Sequence, residues 1–191
     1  MQKKEESNRR IIDAGFKCFA LNGYKKTSVD DIAQSAGVSK ALIFHYYGSK
    51  DGLYSYLLNY YIDTVTDGLQ SFDGLYKTDF FERLEAFSEA KLRILQKNAA
   101  LFDFSMSLAN DKDQKVIDFS QPGSDASKYF DGVDMSRFKD GIELDYMIKI
   151  IFWCSAGFIK DADMSKSNVG DVMKEFKKFT DVLKKVFYKE N

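Results

Sequence analysis

Hydrophobic residues recur at helical spacing along most of the chain, and this pattern predicts an all-α protein. The two-residue alternation of half-buried strands is scarce, whereas residues that favour helices are frequent. The predicted helices cover roughly residues 7–21, 28–36, 40–47, 50–69, 79–96, 99–109, 142–162 and 169–188. Residues 120–141 contain turn residues and the only proline, so they predict a loop or short helices.

Small polar residues and glycines mark the ends of the first four helices. Ser28, followed three residues later by Asp31, forms a capping-box pattern at the start of the second helix. Serines also precede the third and fourth helices, where a hydroxyl can cap free backbone amides. Asn22-Gly23, Gly37 and Gly48 end the preceding helices. Gly15 lies inside the first helix, which predicts close packing by a neighbouring helix.

Two short helices joined by a glycine-containing turn form a helix-turn-helix pattern in "SVDDIAQSAGVSKALIFHYYGSK", residues 28–50. The second helix of such a pair lies with its outer face against DNA. Tyr47 is expected to anchor that helix to the core. The outer face would carry Lys40, Ala41, Leu42, Phe44, His45 and Tyr46.

Charge is unevenly distributed between the two ends of the chain. Residues 1–50 contain nine basic and five acidic side chains, and residues 51–191 contain 19 and 24. A basic N-terminal segment on an acidic body suggests an anionic partner at that end. A solvated charged surface would account for the same difference.

The sequence lacks the residue patterns of an enzyme or a metal site. His45 is the only histidine and has no cysteine, serine or carboxylate arrangement to orient it for catalysis. The run from Asp161 begins like a calcium loop but has Lys166 and Val172 where glycine and glutamate are needed. We therefore expect no enzymatic activity, no cofactor and no metal.

The expected location is the cytoplasm. The N-terminal residues lack the apolar core of a signal peptide, and the most apolar run, 146–159, is too short to span a bilayer. Cys18 and Cys154 are predicted to be two buried thiols rather than a disulfide, which fits a reducing compartment.

The segment "TSVDDIAQSAGVSKALIFHYYGSKDGLY" closely resembles the DNA-binding signature of the TetR family of transcriptional regulators. The resemblance covers about residues 8–60 and includes the Asn-Gly-Tyr end of the first helix. It implies an all-α fold of about nine helices with two domains. Residues 1–48 would be the helix-turn-helix DNA-binding domain, and residues 49–191 the effector-binding and dimerisation domain.

The resemblance also implies which residues contact DNA. Thr27, Ser28 and Lys50 would bind phosphates, and Ser39, the cap of the third helix, could also meet a phosphate. Base edges would be covered by Lys40, Ala41 and Leu42, while Phe44, His45 and Tyr46 would contact bases or backbone. The sequence departs from the family at Phe44, usually tyrosine, and mildly at Ala41, often glycine.

Apolar residues of the C-terminal helices have two interpretations. Phe102, Met106, Tyr146, Met147 and Trp153 could line a cavity for a largely apolar ligand, or each could be ordinary core. The helix 142–162 is apolar nearly all round, so it should be covered by more than its own domain. With the last helix it suits a four-helix dimer interface.

Together these patterns predict a homodimeric regulator that binds a palindromic DNA operator and responds to a small molecule. The resemblance favours a repressor that releases DNA when an effector binds the C-terminal domain. The alternative is a helical protein-interaction module that uses the exposed aromatics of the third helix.

Overall fold

The computed structural model of the protein describes residues 2–69, 72–108, 130–161 and 168–190. These residues form eight α-helices and confirm the all-α prediction. The helices are α1 Gln2–Lys26, α2 Val29–Ala36, α3 Lys40–Tyr47, α4 Lys50–Leu69, α5 Phe80–Leu95, α6 Ala99–Leu108, α7 Leu144–Asp161 and α8 Val169–Phe187. Residues 120–129 of the predicted loop lie outside the described residues. Its described part includes a short 3-10 helix, Met135–Arg137.

The predicted capping residues determine where the short helices begin. Ser28 and Asp31 exchange both bonds of the capping box at α2. The Ser39 hydroxyl oxygen accepts a bond from the Leu42 amide at the start of α3. α1 starts earlier than predicted, at Gln2, and Gly23 interrupts it with a left-handed φ of 70° at the predicted position.

The described residues divide into two compact units, and the first contains residues 2–68 and 94–108. α1 packs against both α2 and α6 in this unit. Phe104 of α6 is fully buried there, with ring centroids 5.0 Å from Phe16 and 5.8 Å from Tyr54. A Cβ at Gly15 would lie 2.7 Å from the Leu57 side chain, which confirms the predicted close packing.

The second unit contains the described residues among 69–93 and 115–191. Buried aromatic and aliphatic side chains of α5, α7 and α8 form its core, together with Phe138 and Tyr188. Those two residues also pair as an isolated antiparallel bridge. At the edge of this core, Arg137 forms an ion pair with the buried Asp79, just before α5.

The burial of the two cysteines differs from the prediction. Cys154 is exposed and Cys18 is only partly buried. The expectation of two buried thiols is wrong because α7, which carries Cys154, exposes much of one face within its own unit. Tyr146, Ile150 and Trp153 lie on that face, and Trp153 is 70 % exposed.

None of the described helices is long and apolar enough to cross a membrane.

Candidate nucleic-acid interface

α2, the turn after it and α3 form a small corner with one buried and one exposed side. Val29, Ile32 and Ala33 of α2 and Ile43 of α3 are buried. Gly37 ends α2 in the left-handed conformation, with φ 62°, which glycine adopts at little cost. Its amide bonds back to the carbonyls of Ala33 and Gln34. The chain therefore reverses within three residues, and α3 begins at Lys40.

The face of α3 away from the core carries the side chains that the sequence assigned to DNA. Lys40, Ala41, Phe44 and His45 are exposed, and Leu42 and Tyr46 are half-buried. Tyr47, the predicted anchor, is also half-buried and its hydroxyl donates a 2.7 Å hydrogen bond to Asn8 Oδ1. Burial raises the pKa of Tyr47 above its usual range, so this hydroxyl remains a donor at neutral pH.

Two lysines near α3 have partners in the structure. Lys40 Nζ lies 2.7 Å from Asp30 Oδ2, and both side chains are largely exposed. An exposed pair of this kind contributes little stability, about 0–1 kcal/mol, so a phosphate can replace Asp30 at low cost. Lys4 Nζ lies 5.8 Å from the centroid of the Tyr46 ring, which places the first turns of α1 beside α3.

Thr27 is placed differently from the prediction. It is only 1 % exposed, and its hydroxyl lies 3.0 Å from the Cys18 carbonyl and 2.8 Å from the Gly23 carbonyl. This placement contradicts a phosphate contact by the Thr27 side chain, because the hydroxyl is bonded inside the protein. Ser28 is exposed, but its hydroxyl donates to Asp31 Oδ2 at 2.7 Å as part of the α2 cap.

Lys50 opens α4 next to the end of α1. The Ser49 hydroxyl oxygen accepts a 2.9 Å bond from the Gly52 amide and caps the helix. Lys50 Nζ lies 4.3 Å from the centroid of the Tyr24 ring, and the Tyr24 hydroxyl donates a hydrogen bond to Asp51. The first turn of α4 thus presents a cation at a helix N-terminus, a position that favours anions.

Sequence reasoning missed two lysines on this part of the molecule. Lys25 and Lys26 are exposed and come directly before Thr27 and Ser28, at the entrance to α2. Two consecutive basic residues ahead of a capping box were the available signal. They add positive charge beside the amino end of α2, where the helix dipole also favours anions.

The predicted ligand-binding residues are distributed over the two units. Phe102 and Met106 are half-buried on α6, in the first unit, whereas Met147 belongs to the core of the second. Tyr146 and Trp153 are 64 % and 70 % exposed within their unit. They therefore lie on an exposed face of α7, and their contact with a ligand stays a prediction.

Within the described ranges, no group of three or more His, Cys, Asp or Glu side chains could hold a metal ion.

Comparisons with known proteins match the helix-turn-helix region most strongly. Residues 11–57 match the family model described as "Bacterial regulatory proteins, tetR family". The chain is 41 % identical over 59 residues to the uncharacterised HTH-type transcriptional regulator YuxN of Bacillus subtilis, covering 31 % of this chain and 20 % of YuxN. It is 35 % identical over 75 residues to the biofilm operon negative transcriptional regulator IcaR of Staphylococcus epidermidis, covering 36 % of this chain and 40 % of IcaR. The matched segments thus span well under half of these relatives.

The fold similarity extends further along the chain than the sequence similarity. The crystal structure of a TetR family transcriptional regulator from Chloroflexus aurantiacus aligns with a TM-score of 0.69 at 17 % identity. The alignment covers 97 % of this chain and 95 % of that one. At this identity the similarity establishes the fold.

Proposed function

Because the chain belongs to the TetR family of transcriptional regulators, we propose that it binds double-stranded DNA through the exposed face of α3 and regulates transcription. The observation that carries this proposal is the capped α2–turn–α3 corner. It buries one side and presents Lys40, Ala41, Phe44 and His45 on the other. A major groove is wide enough to admit an α-helix, whose exposed side chains can then contact base edges.

The proposed phosphate contacts surround this helix. Lys50 at the start of α4 and Lys25 and Lys26 before α2 supply cations, and Ser28 and Ser39 lie at helix N-termini. Phosphate contacts position the protein on the duplex without reading sequence. Base reading then falls to Lys40, Ala41, Leu42, Phe44, His45 and Tyr46. Phe44 lacks a hydroxyl, so it suits a thymine methyl or a sugar.

We propose a homodimer that binds a palindromic operator. α7 exposes Tyr146, Ile150 and Trp153, and α8 exposes Val182 and Val186. Exposed apolar stripes on two helices of one unit suit a four-helix interface between two copies. The two α3 helices, one from each copy, would then lie about 34 Å apart and each read one half-site.

The proposed regulation is repression relieved by a small, largely apolar molecule in the C-terminal domain, in the cytoplasm. The similarity to IcaR, a negative regulator, supports repression. Effector and DNA would oppose each other by reciprocal linkage, with a coupling of about 1–3 kcal/mol. Phe102 and Met106 of the first unit, and Tyr146, Met147 and Trp153 of the second, stay proposed ligand contacts, each set within its own unit. The exposed Tyr146 and Trp153 also suit the dimer face.

Selection from a random duplex pool tests the central proposal. The purified protein is incubated with the pool, the bound fraction is sequenced, and native mass spectrometry counts the chains in each complex. We expect two chains on an enriched palindrome. A monomer without enrichment would refute DNA regulation and favour the protein-interaction alternative, in which exposed Phe44 docks a partner.

A further inference from the structure

Tyr24 contacts both residues that open α4. Lys50 Nζ lies 4.3 Å from the centroid of the Tyr24 ring, within the range of a cation–π interaction. The hydroxyl of the same tyrosine donates a hydrogen bond to Asp51 Oδ1. A single side chain thus holds a cation and an anion that are adjacent in sequence.

The Tyr24 ring is itself held by its neighbours. Phe19 stacks against it at a centroid distance of 6.0 Å, and Tyr54 meets it edge-on at 5.0 Å. The hydrogen bond to Asp51 raises the pKa of Tyr24 to about 12, so the hydroxyl keeps its proton at neutral pH. The ring therefore offers Lys50 a fixed face, and the hydroxyl offers Asp51 a permanent donor.

The negative charge of Asp51 is unfavourable on a DNA-binding surface. Its carboxylate follows Lys50 directly, and it would repel a phosphate bound by Lys50 the more strongly the closer it came to that phosphate. A hydrogen bond to a charged oxygen fixes that oxygen in place. The Tyr24 hydroxyl therefore ties the carboxylate to the end of α1.

We propose, on the basis of the proposed DNA-binding function, that Tyr24 is a positioning residue of the DNA interface. Its ring presents the Lys50 ammonium to a phosphate, and its hydroxyl restrains the Asp51 carboxylate that would repel the same phosphate. Tyr24 itself need not touch DNA. The two roles are separable, because Tyr24→Phe removes only the hydroxyl and Tyr24→Leu removes the ring as well.

A charge-rescue experiment tests the role of the hydroxyl. Binding of a fluorescent random-sequence duplex is measured by anisotropy at low salt for Tyr24→Phe, Asp51→Asn and the double variant. We expect Tyr24→Phe to weaken binding about fivefold and the double variant to return to within about twofold of wild type. Asp51→Asn alone should bind at least as tightly as wild type. Tyr60→Phe, which removes an exposed hydroxyl from α4, is the matched control and should bind like wild type.

Proton NMR of the protein without DNA tests the role of the ring. The Lys50 ε-methylene protons should be shifted upfield by the ring current of Tyr24 and return to the ordinary lysine position in Tyr24→Leu. The additional loss of DNA binding in Tyr24→Leu, beyond that of Tyr24→Phe, should disappear when Lys50→Met is already present. Thermal melting of each variant verifies that it is folded.

The possible failures are distinguishable. If the double variant binds no more tightly than Tyr24→Phe, or if wild-type Lys50 shows no upfield shift, the positioning role of Tyr24 is refuted while DNA binding stands. If wild type shows no salt-dependent duplex binding, the proposed function itself fails. The DNA role of Tyr24 then fails with it, whatever the NMR shift shows about the contact.

Discussion

At the scale of single residues, burial distinguishes side chains that hold the interface together from those that can contact DNA. Thr27 and Ser28 are adjacent and chemically similar, yet Thr27 is buried and Ser28 exposed. The Thr27 hydroxyl bonds the carbonyls of Cys18 and Gly23. It therefore fastens the end of α1 to the entrance of α2, and its role is structural.

Thr27→Val is therefore expected to lower stability rather than the number of phosphate contacts. Valine keeps the shape but removes the donor to two carbonyls, which should reduce the free energy of unfolding by about 1–2 kcal/mol. Urea titration measures this loss, with Thr27→Ser, which retains a hydroxyl, as the control. Affinity for a duplex, measured where both variants are folded, should not change. A loss of affinity for every duplex without a loss of stability would instead support a phosphate contact by Thr27.

Lys50→Ala should weaken DNA binding and leave stability nearly unchanged, the reverse of what is expected for Thr27→Val. Lys50 is charged and lies at a helix N-terminus, so its loss should weaken binding to every duplex and reduce the salt slope by about one. Stability should hardly change. Anisotropy titrations over a range of salt concentrations on a palindromic and a random duplex measure both effects. Lys97→Ala, at an exposed lysine after α5, is the control. A loss confined to one base position would contradict the phosphate assignment.

The sequence predicted much at this scale because capping is a local interaction. Ser28 with Asp31 could be read from their spacing, and the structure forms both bonds. The burial of Thr27 and the contact between Tyr24 and Lys50 could not be read in this way. Both depend on how the end of α1 packs against α2 and α4, and the spacing of residues along the sequence does not specify that packing.

At the scale of helices, the junction between α3 and α4 depends on a glycine, Gly52, which has no side chain. A Cβ at Gly52 would lie 2.0 Å from the Tyr47 carbonyl oxygen, a backbone atom that cannot move without shifting α3. The Gly52 amide also completes the Ser49 cap. Gly52 thus lets the last turn of α3 approach the first turn of α4, next to Lys50.

Gly52→Ala should therefore destabilise the protein even though alanine favours helices. The clash should cost about 1–3 kcal/mol, more than the 0.5–1 kcal/mol or so gained from helix propensity. Because α3 must shift relative to α4, duplex affinity should fall as well. Urea titration and anisotropy measure the two effects. Ser55→Ala, at an exposed position of α4, is the control and should stay within about 0.5 kcal/mol of wild type. A stabilised Gly52→Ala would show that the junction is not close-packed.

Helix positions were largely predictable from periodicity, whereas helix surroundings were not. The pattern located α4 and α8 to within a residue of their observed ends. It also marked helix 142–162 as too apolar for one exposed side. It could not show which residues of α7 face outward, among them Tyr146 and Trp153. Hydrophobicity indicates burial without indicating what provides it.

At the scale of the whole molecule, the exposed stripe of α7 is best explained by a second copy of the chain. Each described unit has its own buried core, so the outward Trp153 is not needed to complete either one. Leaving several large apolar side chains in water on one face is unfavourable, and pairing with an identical face removes them all.

Trp153→Asp tests this explanation. Placing a charge on the stripe should raise the dimer dissociation constant by about 30-fold or more, because buried tryptophans dominate interfaces. Melting of the monomer should be nearly unaffected, since Trp153 is exposed within its unit. Sedimentation velocity over a range of concentrations measures the dissociation constant. Tyr76→Asp makes the same kind of change at an aromatic that is 87 % exposed and lies off α7. It should leave the dimer intact.

Loss of the dimer should change how the protein binds a palindrome without changing how α3 binds a single half-site. A Trp153→Asp monomer keeps α3 and Lys50 unchanged, so it should still bind one half-site with the wild-type salt slope per chain. It should lose the preference for a palindrome over a single half-site, since only a dimer holds two recognition helices together. If Trp153→Asp stays dimeric, the partner surface is elsewhere and α7 must be covered by something other than a second copy.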